Sequence, residues 1–141
     1  MLEVSAKPTH RLDVCAYFGY TDSEIPRMQD ACVVGNPVPR VSKRTFNAGT
    51  PCRQPLSDGR SGSLRLDFQR IGGTCRDPYN VTSRDRVSLL NLRLGLEAEK
   101  WSLTAWSKNL ADRKYNAEFS PGGFLWKALP RRYGLDLSYR F

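Results

Sequence analysis

At 141 residues, 40% of them hydrophobic, the chain is long enough for one domain with a modest core. It holds no run of about 18 apolar residues, so a membrane-crossing helix is excluded. Its net charge of +8 comes from 22 basic residues scattered along the chain in runs no longer than three, which argues against a nucleic-acid patch.

A mean hydropathy of -0.52 does not exclude the membrane, because the strands of a membrane barrel alternate apolar with polar residues. Helical periodicity is nearly absent here, whereas period-two alternation recurs. LEVSAKP places Leu2, Val4 and Ala6 on one face of a first predicted strand. After a polar turn at Thr9 and His10, RLDVCAYFGYT sets Leu12, Val14, Ala16, Phe18 and Tyr20 opposite Asp13, Cys15, Tyr17 and Gly19. TFNAGTPCRQ is weaker, and Pro51, which has no N–H to donate, predicts a local defect in that third strand. The turn PLSDGRSG leads to SLRLDFQR, where Leu64, Leu66 and Phe68 alternate with Arg65, Asp67 and Gln69. SLLNLRLGLE sets Leu90, Leu92, Leu94 and Leu96 against Asn91, Arg93, Gly95 and Glu97. WSLTAWSKN continues with Trp101, Leu103 and Ala105 until Trp106 breaks the pattern. RRYGLDLSYRF closes the series with Tyr133, Leu135, Leu137, Tyr139 and Phe141.

The expected fold is therefore all-β, an antiparallel meander of about seven long strands. Its connections alternate in length. Short polar turns join the first and second, third and fourth, and fifth and sixth strands, while residues 24–43, 74–86 and 114–130 form long ones. Short turns at one end and long loops at the other are the build of a membrane barrel. Strands of about ten residues, tilted near 45°, also cross an apolar band of about 25 Å. The same apolar faces would serve a soluble barrel, so periodicity alone leaves both open.

Cys15, Cys32, Cys52 and Cys75 include no C-x-x-C pair, and His10 is the single histidine, so neither a metal site nor a cofactor is expected. SPGGF at Ser120 to Phe124 reads as loop punctuation, without the strand-to-helix setting of a phosphate cradle. The triplet NVT at Asn80 is a glycosylation sequon only in another cellular context. No catalytic constellation stands out, and no enzymatic activity is expected.

NLRLGLEAEKWSLTAWSKNLADRKYNAEF, followed by LPRRYGLDLSYRF, resembles the carboxy-terminal end of TonB-dependent outer-membrane receptors. In that family a W-S-x-T-x-W-x-K-N-L-x-D-x-x-Y segment precedes a loop, P-R-x-Y-G and a last strand ending in Phe; here these are Trp101 to Tyr115 and Pro130 to Phe141. LEVSAKPTHRLDVCAYFGYTDSEI looks like an earlier hairpin of the same barrels, and NPVPRVSKRTFNAG like their passage from loop to strand. Cys52 and Cys75 stand where the family pattern has aromatic residues, and Ser42 where it has Pro.

The resemblance implies that residues 1–141 are one portion of an incomplete barrel in the outer membrane of a Gram-negative bacterium, with neither plug domain nor signal peptide within them. It implies that Tyr133, Leu135, Leu137, Tyr139 and Phe141 are the signal read by the barrel assembly machinery. Partners would be outer-membrane lipid, the rest of a receptor barrel of about 22 strands and its plug, with TonB acting only through that plug. The parent function would be energised uptake of an iron-siderophore, cobalamin or glycan, for which this piece alone is not competent. Tyr79, Arg84, Phe119, Phe124, Trp126 and Lys127 are the candidate ligand contacts of the external loops, with membrane-interface placement the competing reading for Phe124 and Trp126. The departures from the family pattern suggest relaxed selection, and a Cys32–Cys75 bridge between loops is conceivable. Two rivals stand: a soluble small barrel or sandwich binding a ligand or nucleic acid, and an autonomous small outer-membrane protein that closes by oligomerising.

Overall fold

The computed structural model describes residues 1–120 and 123–141; Pro121 and Gly122, inside the SPGGF stretch, lie outside the described residues. The strands are β1 (Leu2–Thr9), β2 (Leu12–Tyr20), β3 (Arg44–Pro55), β4 (Ser61–Ile71), β5 (Thr74–Cys75), β6 (Ser83–Arg84), β7 (Val87–Glu97), β8 (Trp101–Lys108), β9 (Asn116–Ser120), β10 (Phe124–Lys127) and β11 (Arg132–Tyr139). Seven of them form one sheet in the order β1-β2-β3-β4-β7-β8-β11, each neighbour antiparallel. These are the seven predicted strands, in a meander. The remaining four make two small hairpins, β5–β6 and β9–β10, inside the long connections.

Register keeps the two faces separate across the whole sheet. Leu12, Cys52, Leu64, Leu94, Ala105 and Leu135 stand in one cross-strand row. Ser5, Cys15, Gly49, Asp67 and Asn91 stand in a row on the other face. Sliding a strand by one residue would carry its apolar side chains to the polar face, so the alternation itself fixes the pairing.

Pro51 produces the expected defect on one side only. Arg53 N donates to Arg11 O at 3.0 Å, so every second residue of β3 around it, Pro51 included, turns its backbone toward β2. The β2–β3 ladder accordingly has no pairs between Leu12↔Cys52 and Cys15↔Gly49, while β3–β4 pairs without interruption through Pro51↔Arg65. Trp106, which breaks the alternation in the sequence, sits on the polar face opposite Gly134. A side chain at 134 would run into the Trp106 indole, so the glycine leaves room for the ring.

The three short connections lie at one end of the sheet. In the β3–β4 turn Asp58 and Gly59 adopt left-handed φ of 61° and 67°, which the Asp-Gly pair accommodates readily. The long connections, residues 21–43, 72–86 and 109–131, lie at the other end and are somewhat wider than the sequence suggested.

No second layer covers either face. Among the described residues only Val33 and Val87 are buried hydrophobics, and both lie at the loop end. Leu135 and Leu137 of β11 are each 73% exposed. β1 and β11 are the sheet's two edges and do not pair with one another, so no barrel closes within the chain. A soluble sandwich or small barrel would need the missing layer or that seam. At 11 residues, β4 and β7 reach about 36 Å each, or about 25 Å of height when tilted near 45°.

Candidate functional site

Among the described residues, the buried hydrophobic side chains, Val33 and Val87, gather at the loop end. Connection 21–43 contains a single 3-10 turn, Ala31–Val33, whose first residue is preceded by Asp30; that carboxylate accepts from Cys32 N at 3.0 Å. Tyr79 reaches across from connection 72–86 and its hydroxyl donates to Asp30 Oδ2 at 3.0 Å. The Cys32 N–H, then the Tyr79 hydroxyl, hold Asp30 below the usual carboxylate range, and the same bond pushes the Tyr79 phenol up.

Connection 72–86 is organised by Asp77. Its carboxylate accepts from Tyr79 N at 3.0 Å, Val81 N at 3.2 Å and Thr82 N at 2.7 Å. Asn80 takes the left-handed conformation at φ 60°, as Asn tolerates in a tight turn. Backbone donors, Thr82 first, hold the Asp77 carboxyl below its ordinary value. The DPYN stretch is thus a self-bonded turn that presents Tyr79 to its neighbour loop.

Arg76 ties the loops together. Its side chain is only 6% exposed, and Nη2 donates to Ala117 O at 2.9 Å and Asn116 O at 3.3 Å in the β9–β10 hairpin. Glu118 of that hairpin lies 3.8 Å from Arg76 and 3.0 Å from Arg40 of connection 21–43. Arg40 N in turn donates to Cys75 O at 2.8 Å, and Asn36 Nδ2 to Pro78 O at 2.8 Å. One arginine therefore touches a second loop directly and a third through one carboxylate. Asn109 anchors the third loop at its root, bonding the backbone of Arg113 in both directions and donating to Leu129 O.

Of the six candidate ligand contacts, the structure brings three together. Arg84, Phe119 and Lys127 line a cavity of about 570 Å³ between connections 72–86 and 109–131. Arg76, Arg86 and Lys114 line it too, against only Asp85 and Glu118 of opposite sign. Burial, then the like charge of Arg76, pull the Arg84 guanidinium below its usual value. Tyr79 lies outside the cavity, bound to Asp30. Trp126 and Phe124 also lie outside it, 63% and 69% exposed on the β10 strand. A second cavity of about 840 Å³ between connections 21–43 and 72–86 carries balanced charge from Asp22, Glu24 and Asp85 against Lys43, Arg84 and Arg86. Cys32 and Cys75 are both free: Cys32 sits in the Asp30-capped turn and Cys75 in β5, and no bridge joins them.

Tyr133, Leu135, Leu137 and Tyr139 lie along the apolar face of the β11 edge, as the alternation requires. The strand ends at Tyr139, and Phe141 follows with its ring 5.3 Å from that of Tyr139, edge to face. Arg76, Arg40 and Glu118 were not legible as functional residues, because their contacts cross about 40 residues or more of sequence.

No protein-family model matches the chain. Solved structures do. The ferric preacinetobactin receptor BauA of Acinetobacter baumannii matches 96% of the chain with a TM-score of 0.85 at 19% identity, over 20% of its own length. The ferric yersiniabactin uptake receptor FyuA of Yersinia pestis matches 99% with a TM-score of 0.84 at 18% identity, over 23% of its length. The ferric-catecholate import receptor Fiu of E. coli K12 matches 99% with a TM-score of 0.76 at 18% identity, over 20% of its length. The chain has the fold of a stretch of TonB-dependent receptor barrel, and spans about a fifth of the length of these receptors.

Proposed function

We propose that the chain is a length of outer-membrane barrel wall from a receptor for the energised uptake of a scarce ligand, of the iron-siderophore class in preference to cobalamin or glycan. The observation that carries this reading is a predominantly apolar face on a seven-stranded sheet that has no layer to cover it among the described residues. Lipid is the solvent such a face requires, and it leaves the polar face toward a lumen. The siderophore class draws support from the ferric-siderophore receptors among the neighbours and from the predominantly basic cavity at Arg84 and Lys127, suited to an anionic chelate. Uptake itself belongs to the complete barrel with its plug, on which TonB would pull. With both edges unpaired in hydrocarbon, the chain by itself does not transport.

The chain's own thiols test the wall reading. Cys52 shares the apolar row with Leu12 and Leu64, whereas Cys15 stands between Ser5 and Gly49 on the polar face. With the chain reconstituted in vesicles, a fluorophore on Cys52, the other cysteines changed to Ser, is expected to be quenched several-fold more by nitroxide lipid than one on Cys15. Equal quenching at the two positions would refute the placement.

The β11 edge serves, in this proposal, as the signal for the barrel assembly machinery through Tyr133, Leu135, Leu137, Tyr139 and Phe141. A free ladder with an exposed apolar row is what a strand-pairing insertase can grip. Phe141→Ser removes the last ring of that row, and outer-membrane insertion, followed by protease protection in cells, is expected to fall several-fold. Unchanged insertion would remove this role.

A further inference from the structure

Three arginines border the apolar face at the loop end of the sheet. Arg44 stands in register with Tyr20, and Arg70 with Phe46, both pairs on the apolar face at the loop end of the sheet. The Arg131 guanidinium lies 5.7 Å from the centroid of the Tyr133 ring, the first apolar residue of β11. All three arginines are exposed, and none joins an ion pair among the described residues. Arg44 and Arg70 are the last residues of their apolar alternations before a loop, and Arg131, one residue outside β11, also donates from Nη1 to Leu110 O at 3.3 Å. At the turn end the same face finishes on Leu12, Gln54, Gly62, Leu96, Trp101 and Tyr139, and Arg60, the residue before β4, stands next in its alternation.

The three positions also follow one line. Counted in cross-strand rows, Arg70 is one row nearer the turns than Arg44, and Arg131, three strands farther along the sheet, is one row nearer again. The upper limit of the apolar residues drifts the same way, from Tyr20 on β2 through Phe68 on β4 to Tyr133 on β11. Tilted strands in a level membrane produce such a drift. The arginines therefore mark a single depth, where hydrocarbon gives way to headgroups.

We infer that Arg44, Arg70 and Arg131 form a binding edge for the phosphate groups of lipid headgroups in the outer leaflet. The inference rests on the wall reading above and adds to it a partner and three residues. A guanidinium offers a planar fork of donors that matches phosphate, and it is less strongly hydrated than an ammonium. The Tyr133 ring lies beside the Arg131 fork, and Tyr20 and Phe46 stand in register with Arg44 and Arg70 at the depth where aromatic residues collect. Basic residues held near an anionic membrane surface strengthen attachment additively, and salt screens the effect.

The full chain, reconstituted by dilution from urea, is to be measured by flotation with phosphatidylcholine vesicles containing a minority of diphosphoryl lipid A, or of the same lipid enzymatically dephosphorylated. The triple variant R44Q/R70Q/R131Q is expected to partition at least about tenfold less than the parent onto lipid A vesicles and equally onto dephosphorylated ones. A charge-matched control on the polar face, R53Q/R93Q/R132Q, is expected to retain parental partitioning on both, and equal strand content by circular dichroism verifies that each variant folds. An equal fall in the two triple variants would reduce the effect to net charge and overturn the inference while the wall reading stands. Undiminished partitioning of R44Q/R70Q/R131Q would also overturn it. Failure of the parent to enter either vesicle would overturn both.

Discussion

Leu92→Arg is expected to weaken the membrane-inserted chain by about 2–4 kcal/mol, the cost of a charged side chain on the lipid face at mid-depth. Leu92 is the central residue of β7, five positions from Val87 and five from Glu97, and its cross-strand neighbours on the apolar face are Leu66 and Ser107. No acid faces it there, and an arginine at mid-band is far from both interfaces to which it could snorkel. Thr104→Arg makes the contrast. Thr104 lies between Gly95 and Asp136 on the polar face, where a new guanidinium meets a carboxylate and water, so its effect should stay below about 1 kcal/mol. Urea titration of the chain in vesicles reads both values. If the two substitutions cost the same, the faces are not lipid and lumen; if Thr104→Arg costs more, they have been assigned the wrong way round.

Arg76→Met carries the second largest expected effect, a loosening of the loops by about 2 kcal/mol with the sheet unaffected. Methionine matches much of the volume of the buried stem but donates nothing. Two carbonyl bonds from a charged donor are lost, at 2.9 and 3.3 Å, together with a 3.8 Å ion pair to a part-exposed Glu118 that contributes little by itself. Amides of β9 and β10 should then exchange about 30-fold faster with solvent, because they open locally and not with the whole sheet. Arg40→Met is the comparison. Arg40 meets the same carboxylate, but its side chain is 57% exposed, and a surface pair of that kind contributes less than about 1 kcal/mol. Parental exchange in the Arg76 variant would mean that the hairpin holds its place without the tie.

The sheet was readable in the sequence because a two-residue period survives any tertiary context in which the two faces meet different solvents. Leu90 to Leu96 and Leu64 to Phe68 carry that period without exception, and their strands pair over every residue from Ser61 to Ile71. Pro51 was readable for the same reason, as a missing donor; only the register showed that β2, and not β4, loses the bond. Trp106 appeared as an irregularity and became intelligible once Gly134 was found opposite it. The loops were a different matter. β5 and β6 have two residues each, too few to show a period, and β9–β10 is interrupted by a register shift beside Lys127. The tie through Arg76 joins segments about 40 residues apart by one side chain whose neighbours in sequence, Cys75 and Asp77, give no hint of it. Three of the six loop candidates, Arg84, Phe119 and Lys127, share a cavity; Tyr79, Phe124 and Trp126 do not. Residue type alone can propose such contacts but cannot say which loops meet.

The two edges of the sheet carry a constraint on how it can be completed. With seven strands in strict alternation, β1 and β11 point in the same direction. A ring of identical copies joined head to tail would therefore meet at parallel seams, against the antiparallel order of every pair within the sheet. A complement that closes the cylinder without such a seam must bring an odd number of strands, its outermost two both opposed to β1 and β11. A second copy, itself of seven strands, meets that condition only when inverted, with its long loops at the opposite end of the sheet from those of the first.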